Sequence, residues 1–62
     1  MRYKDFTHIL KELGFTLSRS GKGSHEIWSN GLHSVTVTYP EVNRMLARRE
    51  LKKIGYADYK RV

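Results

Sequence analysis

Residues 25–39 read His-Glu-Ile-Trp-Ser-Asn-Gly-Leu-His-Ser-Val-Thr-Val-Thr-Tyr, "HEIWSNGLHSVTVTY", and this stretch decides the fold. Two runs rich in β-branched and aromatic residues, 25–28 and 32–39, flank Ser29-Asn30-Gly31. Such runs suit a pleated, half-buried strand. Asn-Gly is the preferred pair for a two-residue type I′ turn, which needs positive φ at both central positions. The stretch therefore reads as an antiparallel hairpin. A turn centred on Asn30-Gly31 pairs Trp28 with His33, Glu26 with Val35, and His25 with Thr36. Side chains alternate between faces. Trp28, Val35 and Val37 then share the core side, with His33 opposite Trp28, while His25, Ile27, Thr36 and Thr38 share an open face. A three-residue turn would reverse this parity.

Upstream, Phe15-Thr16-Leu17-Ser18-Arg19 alternates apolar and polar residues and reads as another strand. Ser20-Gly21-Lys22-Gly23-Ser24 joins it to the hairpin and is a loop by composition. Before it, Phe6, Ile9, Leu10 and Leu13 recur at i, i+3, i+4 and i+7, the apolar stripe of a helix over residues 4–13. Asp5 near its start and Lys11 near its end suit the helix dipole, and Gly14 suits the left-handed position beyond a helix end.

Downstream, Pro40 ends the last strand, and residues 43–54, "NRMLARRELKKI", predict a second helix with Asn43 as cap and Gly55 as stop. Leu46, Ala47, Leu51 and Ile54 fall on one arc of that helix, together with Glu50. Arg44, Arg48, Arg49, Lys52 and Lys53 fall on the remaining arc with Met45. For residues 56–62, "YADYKRV", packing through Tyr56 and Tyr59 and fraying are both open. The order helix–strand–strand–strand–helix predicts a two-layer α+β fold. A three-stranded antiparallel sheet carries both helices on one face, in one domain over residues 1–62.

Composition bounds the function. A chain of 62 residues hides only about 60% of its unfolded surface, so its core is small. With 39% hydrophobic residues, one Trp, four Tyr and two Phe, it is not compositionally disordered. No segment approaches the roughly 20 apolar residues that span a bilayer, and "MRYKDFTHIL" is not a signal peptide; no membrane partner is expected. The lack of cysteine excludes a disulfide framework and a thiolate metal site, and fits a reducing cytoplasm. Twelve Lys plus Arg against six Asp plus Glu give a formal charge of +6. That balance favours a polyanionic partner, nucleic acid or an acidic protein.

His25 stands behind Gly21, Lys22, Gly23 and Ser24. Taken alone, a histidine there is more often a solvated strand end than a working group. The other reading is a proton-transfer group behind a flexible basic loop, since imidazole, with a reference pKa near 6.5, exchanges protons at neutral pH. Lys22 and Arg19 are candidates to hold a phosphate. The glycines, Gly23 next to Ser24 among them, let backbone N–H groups approach one. The cations of the second helix form either a solvated face or a docking surface for RNA or a protein partner.

Other motifs are set aside. "GKGS" lacks the spacing and the following helix of a phosphate-binding P-loop. His8, His25 and His33, spaced 17 and 8 apart, show no zinc-ligand pattern, so neither metal nor cofactor is expected. Trp28 reads as core rather than as a stacking platform for bases.

Four blocks carry a resemblance: "MRYKDFTHILKELGF", "SGKGSHEIW", the "NG…VTV" hairpin and the closing "ELKKIGY". Together they resemble the HicA (YcfA-like) family of toxins from toxin–antitoxin pairs over residues 1–56. Gly23-Ser24-His25 is the most specific element. The resemblance implies a fold like that of double-stranded RNA-binding domains and a ribosome-independent ribonuclease acting on messenger RNA. It also implies neutralisation by an acidic antitoxin of the HicB type. The family's essential histidine corresponds to His25, with Gly23 and Ser24 matching the residues before it. The metal-free RNA cleavage so implied requires deprotonating a 2′-hydroxyl, stabilising charge on phosphorus and protonating the departing 5′-oxygen, and an imidazole suits the first or third task. Two departures stand out. Where the family usually has a longer basic loop before the second helix, this chain has only "YPEVNR", and Glu50 replaces an apolar residue. Two further readings remain beside the ribonuclease: a non-catalytic RNA-binding module that recognises duplex shape and 2′-hydroxyls, and a degenerate toxin-like binding piece.

Overall fold

A computed structural model describes residues 1–62. The elements follow in the order α1 (Tyr3–Glu12), β1 (Thr16–Ser20), β2 (His25–Ser29), β3 (Ser34–Thr38) and α2 (Arg44–Lys53), closed by a 3₁₀ turn, Tyr59–Arg61. The strands form one antiparallel sheet in the order β1-β2-β3. This is the α+β arrangement expected from the sequence.

The core explains why both helices sit on one face. Phe6 and Leu10 of α1, Ala47 and Leu51 of α2, and Phe15, Trp28, Val35, Val37 and Val42 form one buried cluster. Trp28, Val35 and Val37 belong to one side of the sheet, and the apolar arcs of both helices close over it. Burying each of the larger of these side chains contributes about 1.5–3 kcal/mol. Gly14 and Gly55 follow the helices with φ of +87° and +89°, as a left-handed helix stop requires. The Asn43 side chain accepts the Leu46 N–H at 3.1 Å and caps α2.

The hairpin departs from its expected register. His25 pairs with Thr38 rather than Thr36, Glu26 with Val37 rather than Val35, and Trp28 with Val35 rather than His33. The loop is therefore Asn30–His33. Its cause is Asn30, whose side-chain oxygen accepts the N–H groups of Leu32 at 2.9 Å and His33 at 2.7 Å. A type I′ turn would need positive φ at Asn30 as well as Gly31, and only Gly31 has it. The slip is by an even number of residues, so the faces stay as expected. His33 moves from the core side to an exposed place in the loop.

β1 carries a second irregularity. Leu17 pairs with Trp28 and Arg19 with Ile27, with a break in register between them. Ser18 is thus the extra residue of a β-bulge. Simple alternation would keep Arg19 on Leu17's face; the bulge moves it to the face of Ile27.

The short connection before α2 is held by the start of the chain. The Val42 N–H donates to the Met1 carbonyl at 2.8 Å, and the Met1 ammonium donates back to the Val42 carbonyl at 2.9 Å. The C-terminal residues pack rather than fray. Tyr56, Tyr59 and Val62 lie half-buried against the core, and Arg48 Nε donates to the main-chain oxygen of Val62 at 2.7 Å.

Candidate functional site

The face of the sheet away from the helices presents three rows of side chains. Residues directly opposite across a ladder share a face. One row holds Thr16, Ser29 and Ser34, the next Arg19, Ile27 and Thr36, and the third His25 and Thr38. His25 and Arg19 are both exposed. They are diagonal neighbours on adjacent strands, a spacing of about 7–8 Å in a regular sheet, which an arginine side chain can bridge.

The loop before His25 holds its backbone from both sides. The Gly21 N–H donates to the His25 carbonyl at 2.7 Å, and the His25 N–H donates to the Lys22 carbonyl at 3.3 Å. Gly23 has φ of +66°, the left-handed value this tight turn needs at its first central position. The Tyr39 N–H donates to the Ser24 carbonyl at 3.1 Å and ties the loop to the far strand. The two glycines act for different reasons. Gly23 supplies a conformation, whereas Gly21 supplies space. A Cβ on Gly21 would lie 3.1 Å from the His25 carbonyl oxygen and 3.4 Å from the His25 Cβ. The N–H groups of Lys22, Gly23 and Ser24 donate to no acceptor within the molecule, which leaves three consecutive free donors in the loop before His25.

Glu26, next to His25 in sequence, belongs to the opposite face. Its Oε1 accepts the Tyr3 hydroxyl at 2.7 Å and Trp28 Nε1 at 3.0 Å, so it orients the core rather than the imidazole. The hydrogen bond to Glu26 raises the Tyr3 pKa above its ordinary value, with burial and the Glu26 charge adding to the effect. Tyr39 packs edge-on against Tyr3 with ring centres 5.2 Å apart.

The candidate residues divide between two surfaces. Arg19 shares the open sheet face with His25, and Lys22, Gly23 and Ser24 form the loop that leads into it. Arg44, Arg48, Arg49, Lys52 and Lys53 belong to the helix layer, across the core from it. Two of these five are already engaged: Arg48 with Val62, and Lys52, whose Nζ lies 5.8 Å from the Tyr59 ring centre. Arg44, Arg49 and Lys53 are exposed, beside a Met45 that is 80% exposed. No lysine or arginine forms an ion pair with a carboxylate; the pairs present are the Met1 ammonium with Glu41 and His8 with Glu12. The positive charge of the lysines and arginines is thus not balanced by ion pairs within the molecule.

The histidines lie apart, His8 on α1 and His33 in the hairpin loop. No three His, Asp or Glu side chains come together. No helix is long and apolar enough to cross a membrane. Sequence patterning missed two parts of the site. The placement of Arg19 depends on a bulge at a serine that nothing in the local pattern singles out. The spatial role of Gly21 could be guessed only from its closeness to His25.

Fold and charge together define a small, basic, two-layer α+β protein. A family model described as the HicA toxin of bacterial toxin-antitoxin matches residues 3–57, a span that takes in both helices, the sheet and the loop before His25. The chain belongs to the HicA toxin family and is a toxin of a toxin–antitoxin system, with an antitoxin as its partner. No curated protein and no solved structure gives a significant match.

Proposed function

We propose that the chain is an endoribonuclease that cleaves messenger RNA in the cytoplasm without a metal ion, using His25 for proton transfer. An acidic antitoxin of the HicB type silences it by covering the open sheet face. The observation that carries this reading is the exposed His25 itself. It shares the open face with Arg19 and follows a loop that carries Lys22 and three unengaged N–H groups, in a chain of the HicA family.

In the proposed reaction the His25 imidazole accepts the proton of a 2′-hydroxyl. The 2′-oxygen bonds to phosphorus as the bond from phosphorus to the 5′-oxygen breaks, leaving a 2′,3′-cyclic phosphate on one fragment. The departing 5′-oxygen takes its proton from water, since the open face carries no second imidazole and no carboxylate. Arg19, Lys22 and the N–H groups of Lys22, Gly23 and Ser24 stabilise the charge that builds on the non-bridging oxygens. A single positioned proton-transfer group contributes about 10²–10⁴-fold, so this is a slow nuclease. The helix-layer cations contact a distant stretch of the RNA or the antitoxin, because the core separates them from His25.

The test compares purified wild type with His25→Ala on a long single-stranded RNA in EDTA, with circular dichroism showing that both are folded. Wild type is expected to cleave, and His25→Ala to lose at least about 100-fold. Equal cleavage by both would place the chemistry elsewhere. Binding by both without cleavage would favour the non-catalytic module.

A further inference from the structure

The open sheet face is built chiefly of hydroxyls, with one imidazole and one guanidinium among them. Of the residues in its three rows, only Ile27 is apolar. The aromatic rings lie elsewhere. Phe6, Phe15 and Trp28 are buried in the core; Tyr39 is 60% exposed but follows Val35 and Val37 in alternation, away from the open face, and packs edge-on against Tyr3. Tyr56 and Tyr59 lie half-buried against the core. Proteins that grip single-stranded RNA by its bases stack them on exposed aromatic faces. Hydroxyls and a guanidinium are instead suited to phosphate and sugar oxygens.

Size points the same way. Three strands of five residues make a face about 10 Å by 17 Å. That is far shorter than the roughly 16 base pairs over which a duplex is read by shape.

We infer that this face is a sugar–phosphate track: Arg19, carried onto it by the bulge at Ser18, holds a phosphate beside His25, and the site accepts single-stranded RNA whatever its bases. The inference rests on the reading of His25 as an RNA-cleaving group, but its test does not need cleavage.

The probe is a set of short fluorescent oligonucleotides of uridine, cytidine or adenosine alone, all 2′-O-methylated. Blocking the 2′-oxygen prevents cleavage whatever His25 does. Wild type should bind the three within about threefold of one another. Arg19→Ala should weaken each by about tenfold. It should also flatten the slope of log affinity against log salt by about 0.7, the loss of one phosphate contact on a single strand. Arg19→Lys keeps the charge and should restore the slope. A tenfold preference for one base, or an unchanged slope in a folded Arg19→Ala, overturns the inference. Unmodified oligonucleotides of the same sequences separate the two readings. Base-indifferent binding with no cleavage by wild type would end the nuclease reading and leave the track standing. Cleavage confined to one base would end the track and leave the nuclease.

Discussion

Gly21→Ala separates the placing of His25 from the stability of the fold. Gly21 is not among the residues with positive φ, so alanine there meets no dihedral penalty. At such a position, replacing glycine stabilises by about 0.4–1 kcal/mol by restricting the unfolded chain. Against this, the new Cβ would stand 3.1 Å from the His25 carbonyl oxygen and 3.4 Å from its Cβ, so the neighbouring strand must give by a few tenths of an ångström. The 2.7 Å bond from the Gly21 N–H to that carbonyl must lengthen with it. The two effects are similar in size, and the net change should stay within about 1 kcal/mol, or roughly 4–8 °C in melting temperature. On the proposed mechanism, cleavage has no such offset. If a 1 Å misplacement costs about 100-fold, a shift of a few tenths costs about fourfold. Thermal melts followed by circular dichroism, together with initial rates on a long single-stranded RNA, read both quantities from one preparation. A folded Gly21→Ala that cleaves at the wild-type rate would refute the reasoning that this glycine positions His25. A melting temperature lower by much more than about 10 °C would show that the strand does not give.

Tyr3 and the ionic atmosphere supply two further predictions. The raised pKa of Tyr3 means that its contribution to stability is fully present below the phenol's ordinary value of about 10 and is lost as pH climbs through the higher folded value. Tyr3→Phe should therefore cost about 1 kcal/mol at neutral pH and lose less than wild type above pH 10; parallel stability curves across that window would contradict it. The unpaired cations act over the whole molecule, whose extents are 29 × 24 × 16 Å. Their repulsion reaches across it at 0.01 M salt, where the screening length is about 30 Å, and is largely cut off at 0.15 M, where it is about 8 Å. The melting temperature should rise by a few degrees between those conditions, and a fall would mean that attractive pairs dominate.

What could be read from the sequence followed from periodicity and from residues with one strong preference. Both helices were legible because Phe6, Leu10, Ala47 and Leu51 keep the helical period and Gly14 and Gly55 mark the stops. The face of His25 was legible because alternation survives an even slip in register. The register itself was not. Asn-Gly favours the tight turn in isolation, yet the Asn30 carboxamide gains two backbone donors in a wider one. The bulge at Ser18 was hidden for a related reason: an extra residue in a strand is accommodated by long-range pairing with β2, which local composition does not encode. The family resemblance added the role of His25 as an expectation, which exposure and position alone do not supply.

The two layers also constrain how this toxin can be silenced. Both helices are spent on covering Trp28, Val35 and Val37, so any group that must meet a long polymer can stand only on the bare side of the sheet or on the outer helix surface. The bare side has to stay polar to remain in water, which is why His25 sits among threonines and serines. Its β1 edge has to resist pairing with other chains, and a bulge is one way to do so. Here that same bulge puts Arg19 on the face that carries His25, so edge protection and the proposed site use one residue. The helix surface lies across the core, and part of its charge is committed to Tyr59 and Val62. On the proposed function, an antitoxin bound there alone would weaken attachment of the RNA but leave the imidazole open. On the proposed mechanism, full neutralisation requires carboxylates or bulk placed over Arg19, Lys22 and His25.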